Sequence, residues 1–200
     1  MPSMCMGRKP REEFEGAIHH VYARGNNRQA VFHDDADRRL YLALLACVAC
    51  DRDWLCLGYC LMTNHVHLLL ETPKANLALG MRDLQRDYTR AFNDRHQRVD
   101  HVFQKPYRSK RVKDDGHLHT VIAYIAQNPV AAGLVSSPDD FRWSSHGALA
   151  AGMPPPWLAF KRVLEYLAID SPDPGRRYHE LVATTNPQVD DVPTRGLFAS

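Results

Sequence analysis

The chain has 200 residues, of which 44% are hydrophobic and 24% charged. That size and balance suit one self-supporting domain with an appendage, and they exclude a disordered chain or one that needs disulfides to fold. A formal net charge of +2 neither demands nor forbids a polyanionic partner, so the local placement of charge has to decide.

Residues 1–16 are polar and read as a loosely ordered segment. They carry charge but no apolar run of the kind a signal or membrane anchor needs. Ala17 to Arg24 reads as a first strand, closed by Gly25-Asn26-Asn27. Asp34 or Asp35 offers an N-cap to a helix over about Asp37 to Cys50, with Leu40, Leu44, Leu45 and Val48 on one face. Trp54 to Met62 and His65 to Glu71 are strands separated by Thr63-Asn64, a hairpin pattern. A helix over about Asn76 to Asn93 carries Leu77, Met81, Leu84, Tyr88 and Phe92 at helical spacing. Tyr107 to Val112 reads as a fourth strand. Asp114 or Asp115 caps a helix over about Leu118 to Gln127, which Pro129 ends soon afterwards. The first six elements, β-α-β-β-α-β, match the α+β split βαβ or ferredoxin-like arrangement, an antiparallel sheet with helices packed on one face. Residues 17–150 then form the main domain and 151–156 a Pro-rich linker. Residues 157–185 form a helical extension, and 186–200 a disordered tail.

No stretch approaches the length of a membrane span, so no membrane partner is expected. The five cysteines, Cys5, Cys47, Cys50, Cys56 and Cys60, point to reduced thiols and a cytoplasmic setting. Cys47-x-x-Cys50 and Cys56-x-x-x-Cys60 resemble zinc spacing. Both pairs, however, sit in apolar stretches where cysteine serves as a small core residue.

Two features carry chemistry. In His65-Val66-His67, alternate strand residues share a face, so both imidazoles can reach one divalent ion. The plain alternative is a pair of half-exposed strand histidines. His117-Leu118-His119 lies near a helix start, where residues two apart do not share a face. The second feature is Tyr124-Ile125-Ala126-Gln127-Asn128-Pro129. Tyr124 and Asn128 are four apart and stack on one helix face, so a phenol can stand beside an amide oxygen that completes a metal site. The plain alternative is a core tyrosine followed by an Asn cap before proline. Residues 105–113 hold five basic residues and no acid, which suits either a phosphate track or a charged edge strand that resists aggregation.

The chain resembles the HUH single-tyrosine transposases (IS200-like), and among them the REP-associated tyrosine transposases. The resemblance rests on HVYARGNNRQAVF (20–32), YCLMTNHVHLLLE (59–71), YTRAFN (88–93), VFQKPYRSKRV (102–112), YIAQNPVAAGLV (124–135) and WSSH (143–146), which occur in family order. It implies His65, His67 and Asn128 as ligands of Mg2+ or Mn2+ and Tyr124 as the nucleophile. It also implies a 5′-phosphotyrosine intermediate and a free 3′-hydroxyl. The family pattern Met-Pro-Asn reads Met62-Thr63-Asn64 here, a change in the turn and not in the ligands.

Arg24, Asn26, Asn27 and Arg28 after the first strand, and Lys105, Arg108, Lys110, Arg111 and Lys113 around the fourth, are the candidates for tracking phosphates. Tyr107 or Tyr22 is available to stack on bases. The expected partner is single-stranded or hairpin DNA, bound by a monomer or homodimer. Tyr88 is the rival nucleophile, although its apolar neighbours favour a packing role. Two other functions compete: a non-catalytic hairpin or single-strand binder on the same fold, and a metal-dependent nuclease that uses water in place of tyrosine.

Overall fold

A computed structural model describes residues 13–187. The expected loose segment 1–16 and the tail 186–200 therefore fall largely outside the described residues. The order of the main elements is β1 (Ala17–Arg24), α1 (Asp35–Arg52), β2 (Leu55–Met62), β3 (His65–Thr72), α2 (Leu77–His96), β4 (Arg108–Arg111) and α3 (Asp115–Ala131). Three shorter helices follow: α4 (His146–Ala150), α5 (Phe160–Tyr166) and α6 (Pro174–Thr184).

Local chemistry explains the boundaries. Asp34 caps α1 by accepting from the amides of Ala36 and Asp37 at 2.9 and 3.0 Å, and Asp53, in the left-handed region at φ 58°, ends it. Asp114 caps α3 by accepting from the His117 amide at 2.8 Å. Contrary to the expected early stop, α3 runs through Pro129 to Ala131. In the last turn proline forfeits a single intrahelical bond. The Ala132 and Leu134 amides then donate to the carbonyls of Asn128 and Pro129, both at 3.0 Å, and close the end.

The sheet is antiparallel throughout, in the order β2-β3-β1-β4, the split βαβ arrangement. Val21, Ala23, Val66, Leu68 and Leu70 are buried on one face. There α1 and α2 pack with Tyr41, Leu45, Leu84, Tyr88 and Phe92, as that arrangement predicts. The other face carries His20, Tyr22, Arg24, His65 and His67 in register. It is covered by α3, so the sheet is enclosed on both sides.

Beyond the expected linker the chain returns to the sheet. The Ala159 amide donates to the Cys56 carbonyl at 2.8 Å. Arg162 on α5 donates through Nε and Nη2 to both carboxylate oxygens of the buried Glu71, each at 3.0 Å. Helix α6 packs on α4 and α3.

Candidate active site

Four of the expected site residues converge. The β3 pleat aims His65 and His67 at α3, whose Tyr124 and Asn128 sit one turn apart on the facing side. The Tyr124 ring lies 5.5 Å from the His67 ring and 5.7 Å from the His20 ring. His65 Nε2 is 3.4 Å from Asn128 Oδ1.

Hydrogen bonding sets the protons. Asn64 Nδ2 donates to the Arg28 carbonyl at 3.2 Å, which turns Asn64 Oδ1 toward His65 Nδ1 at 2.7 Å. His65 therefore carries its proton on Nδ1 and presents an Nε2 lone pair to Asn128 Oδ1. With the Asn128 amide oriented in this way, two acceptors face each other, an arrangement that a cation satisfies. His67 Nδ1 lies 3.0 Å from His20 Nε2, and His67 Nε2 is buried without a partner. The Asn128 Nδ2 and Tyr124 hydroxyl are likewise buried without an aligned hydrogen bond.

Burial pushes His65 down to about 4, with the Asn128 contact opposing and Arg24 reinforcing. It pushes His20 to about 4, helped by His117 and Lys110. His67 falls well below the usual histidine range for the same reason, with His65 and His20 adding to it. All three rings are thus neutral, the state required of a ligand. Burial raises the Tyr124 phenol to about 12, against a smaller opposing effect of Asn128. The donor set of two imidazoles and one amide oxygen, with unsatisfied buried atoms, fits a divalent ion.

The basic residues divide. Arg24, Arg108 and Lys110 project from the histidine face, in register with His65, Tyr22 and His20. Lys105 and Lys113 flank β4 and are exposed. Arg111 pairs with His19 on the opposite face, where it lies over the Phe14 ring, so it does not share the site's surface. Asn26 is half-buried, and Asn27 and Arg28 are exposed in left-handed conformations at φ 49° and 61°. Gly25 sets that loop, since a Cβ there would lie 2.0 Å from the Gln29 carbonyl oxygen. Tyr22 packs its ring 5.7 Å from His65 and 5.3 Å from His67. Tyr107 was expected as a stacking platform but is 2% exposed, so it belongs to the core. Tyr88 is fully buried and its hydroxyl donates to the Val31 carbonyl, a packing role. Cys56 and Cys60 are buried on opposite faces of β2, which rules out a shared zinc ion.

Sequence reasoning missed His20 and Asn64, the two side chains that orient the histidines. Both lay within quoted motifs, but only the β1–β3 register shows what they touch.

The elements define a split βαβ protein with a His–His–Asn–Tyr cluster on one sheet face. The family description for IS200-like transposases matches residues 14–128, and the chain belongs to that family. It is 30% identical over 97 residues to a Haemophilus influenzae protein described as a REP-associated tyrosine transposase. That match covers 43% of this chain and 55% of the relative, so the chain spans about half of the relative's length. A solved REP-associated tyrosine transposase bound to a REP hairpin shares the fold at TM-score 0.64 and 18% identity, over 75% of this chain and 89% of that one. No described helix is long and apolar enough to cross a membrane.

Proposed function

We propose that the protein nicks and rejoins single-stranded DNA through a covalent bond to Tyr124, on hairpin-forming, REP-like substrates. The observation that carries this reading is the convergence of two neutral imidazoles, an amide oxygen and a phenol within one buried cluster. A divalent Mg2+ or Mn2+ held by His65, His67 and Asn128 would supply Lewis-acid polarisation of a non-bridging phosphate oxygen.

The chain's own residues do the rest. Arg24, Arg108 and Lys110 bring the phosphate to the histidine face by charge. The Tyr124 oxygen attacks phosphorus as the phenol proton passes to water, and a proton from water is taken up by the departing 3′-oxygen. The new bond is O–P to tyrosine, and the bond to the 3′-oxygen breaks, giving a 3′-hydroxyl and a 5′-phosphotyrosine. The energy of the cut ester stays in the tyrosyl ester, so reversal rejoins DNA without ATP. Helix α3 sets Tyr124 one turn before Asn128, which faces His65.

The test is incubation of purified protein with labelled hairpin DNA and Mn2+. Nicking is expected with wild type and is lost with EDTA or in His65→Ala, while DNA binding stays measurable. Nicking that persists with EDTA, or DNA binding without any cleavage, contradicts the proposal.

A further inference from the structure

A second group of metal-ligating side chains lies away from the Tyr124 cluster, where α4 meets α6. Asp139 is the middle residue of a short turn at Pro138–Asp140, His146 opens α4, and His179 sits within α6. Their ligand atoms lie within 4.8 Å of one another. His146 Nε2 is 3.2 Å from Asp139 Oδ1, and His179 Nε2 is 3.0 Å from Asp139 Oδ2. Ligand atoms set tetrahedrally around zinc at about 2.0–2.1 Å stand about 3.3 Å apart, and the two spacings, one to each oxygen of the Asp139 carboxylate, are close to that value.

His146 is 1% exposed, yet neither of its ring nitrogens makes an aligned hydrogen bond. An ion beside the carboxylate would give one of these nitrogens the partner it lacks. A similar triad, His33, Asp37 and His96, carries no such signal. There Arg95 already pairs with Asp37, which also accepts from the His33 amide at 2.8 Å.

We propose that Asp139, His146 and His179 bind one zinc-class divalent ion. Two imidazoles and a carboxylate suit a borderline ion such as zinc. His179 and Asp139 are half-exposed, which leaves an open side for water. The ion would tie α6 to α4. Since Gln127 Nε2 on α3 donates to the Val182 carbonyl of α6 at 2.8 Å, it would also brace the Tyr124 helix from behind.

The test uses full-length protein stripped of metal and titrated with Co2+, a spectroscopic stand-in for zinc, in excess Mg2+. A His65→Ala/His67→Ala background removes the other site. One equivalent of Co2+ with visible d–d absorption, displaced by Zn2+, is expected. Adding His179→Ala or Asp139→Asn, both at exposed positions, should weaken binding by more than the roughly 100-fold that loss of an outer-shell partner brings. If the background protein binds no Co2+, or binds it equally with His179→Ala, the three residues form only a hydrogen-bonded bridge and the proposal is overturned.

Discussion

Burial acts in opposite senses on the side chains around His67. It keeps His20, His65 and His67 neutral and so able to donate lone pairs, and it raises the Tyr124 phenol, already protonated at neutral pH, to about 12, which makes its proton harder to remove. On the proposed mechanism, the imidazoles are thus ready to bind an ion while the phenol still has to lose its proton. His20 touches His67 and not the proposed ion, so it is a positioning residue. His20→Ala is expected to weaken Mn2+ binding by about 10–100-fold, the usual effect of losing an outer-shell partner. Cleavage at saturating Mn2+ should largely recover, because the ligands themselves remain. Unchanged Mn2+ affinity by titration would remove His20 from the site. The shared face of His65 and His67 was legible because strand alternation is local, and that of Tyr124 and Asn128 because helical spacing is local. His20 was not, because its meaning lies in a contact 47 residues away.

The elements were readable for the same reason, and they failed where tertiary packing decides. The β1 bounds were read correctly because turn chemistry fixes its end. The α3 bounds fell short because a proline in a last turn is tolerated when the following amides find carbonyls. Two contacts between elements are testable. Trp54 covers Gly80 of α2, and a Cβ at Gly80 would lie 2.2 Å from the indole. Alanine gains about 1 kcal/mol in helix propensity, but forcing the indole aside costs about 1–3 kcal/mol. Gly80→Ala is therefore expected to lower stability in urea unfolding, and a stabilised variant would show that Trp54 moves freely. Arg162 of α5 neutralises the buried Glu71. Arg162→Ala leaves that carboxylate unpaired and should cost about 1–3 kcal/mol, less than a fully buried pair because the guanidinium is partly exposed. Arg162→Lys should restore only part of this, since lysine lacks the fork that meets both oxygens. Full rescue by lysine would mean that charge alone matters.

Across the whole molecule, the sheet is used asymmetrically. One face is a plain hydrophobic core, while the other puts polar chemistry under α3. The segment after α3 seals the outer edge of β2. The Leu61 amide donates to the Trp143 carbonyl and the Ser145 amide to the Tyr59 carbonyl, both at 2.9 Å, while Ser145 Oγ accepts from the Tyr59 amide at 3.0 Å. The WSSH stretch therefore protects a strand edge, a role invisible in the sequence because it depends on partners more than 80 residues away. On the proposed mechanism Tyr124, on α3 beside His67, is the nucleophile, although Tyr22 of β1 also lies against both histidines. The decisive measurement is the site of covalent attachment. Protein is reacted with hairpin DNA and Mn2+, digested with trypsin, and the nucleotide-bearing peptide is identified by mass spectrometry. The mass shift is expected on residues 114–142, where Tyr124 is the sole tyrosine, and it should vanish in Tyr124→Phe but persist in Tyr88→Phe. A shift on residues 87–90, which carry Tyr88, or cleavage with no attached nucleotide, would contradict this account.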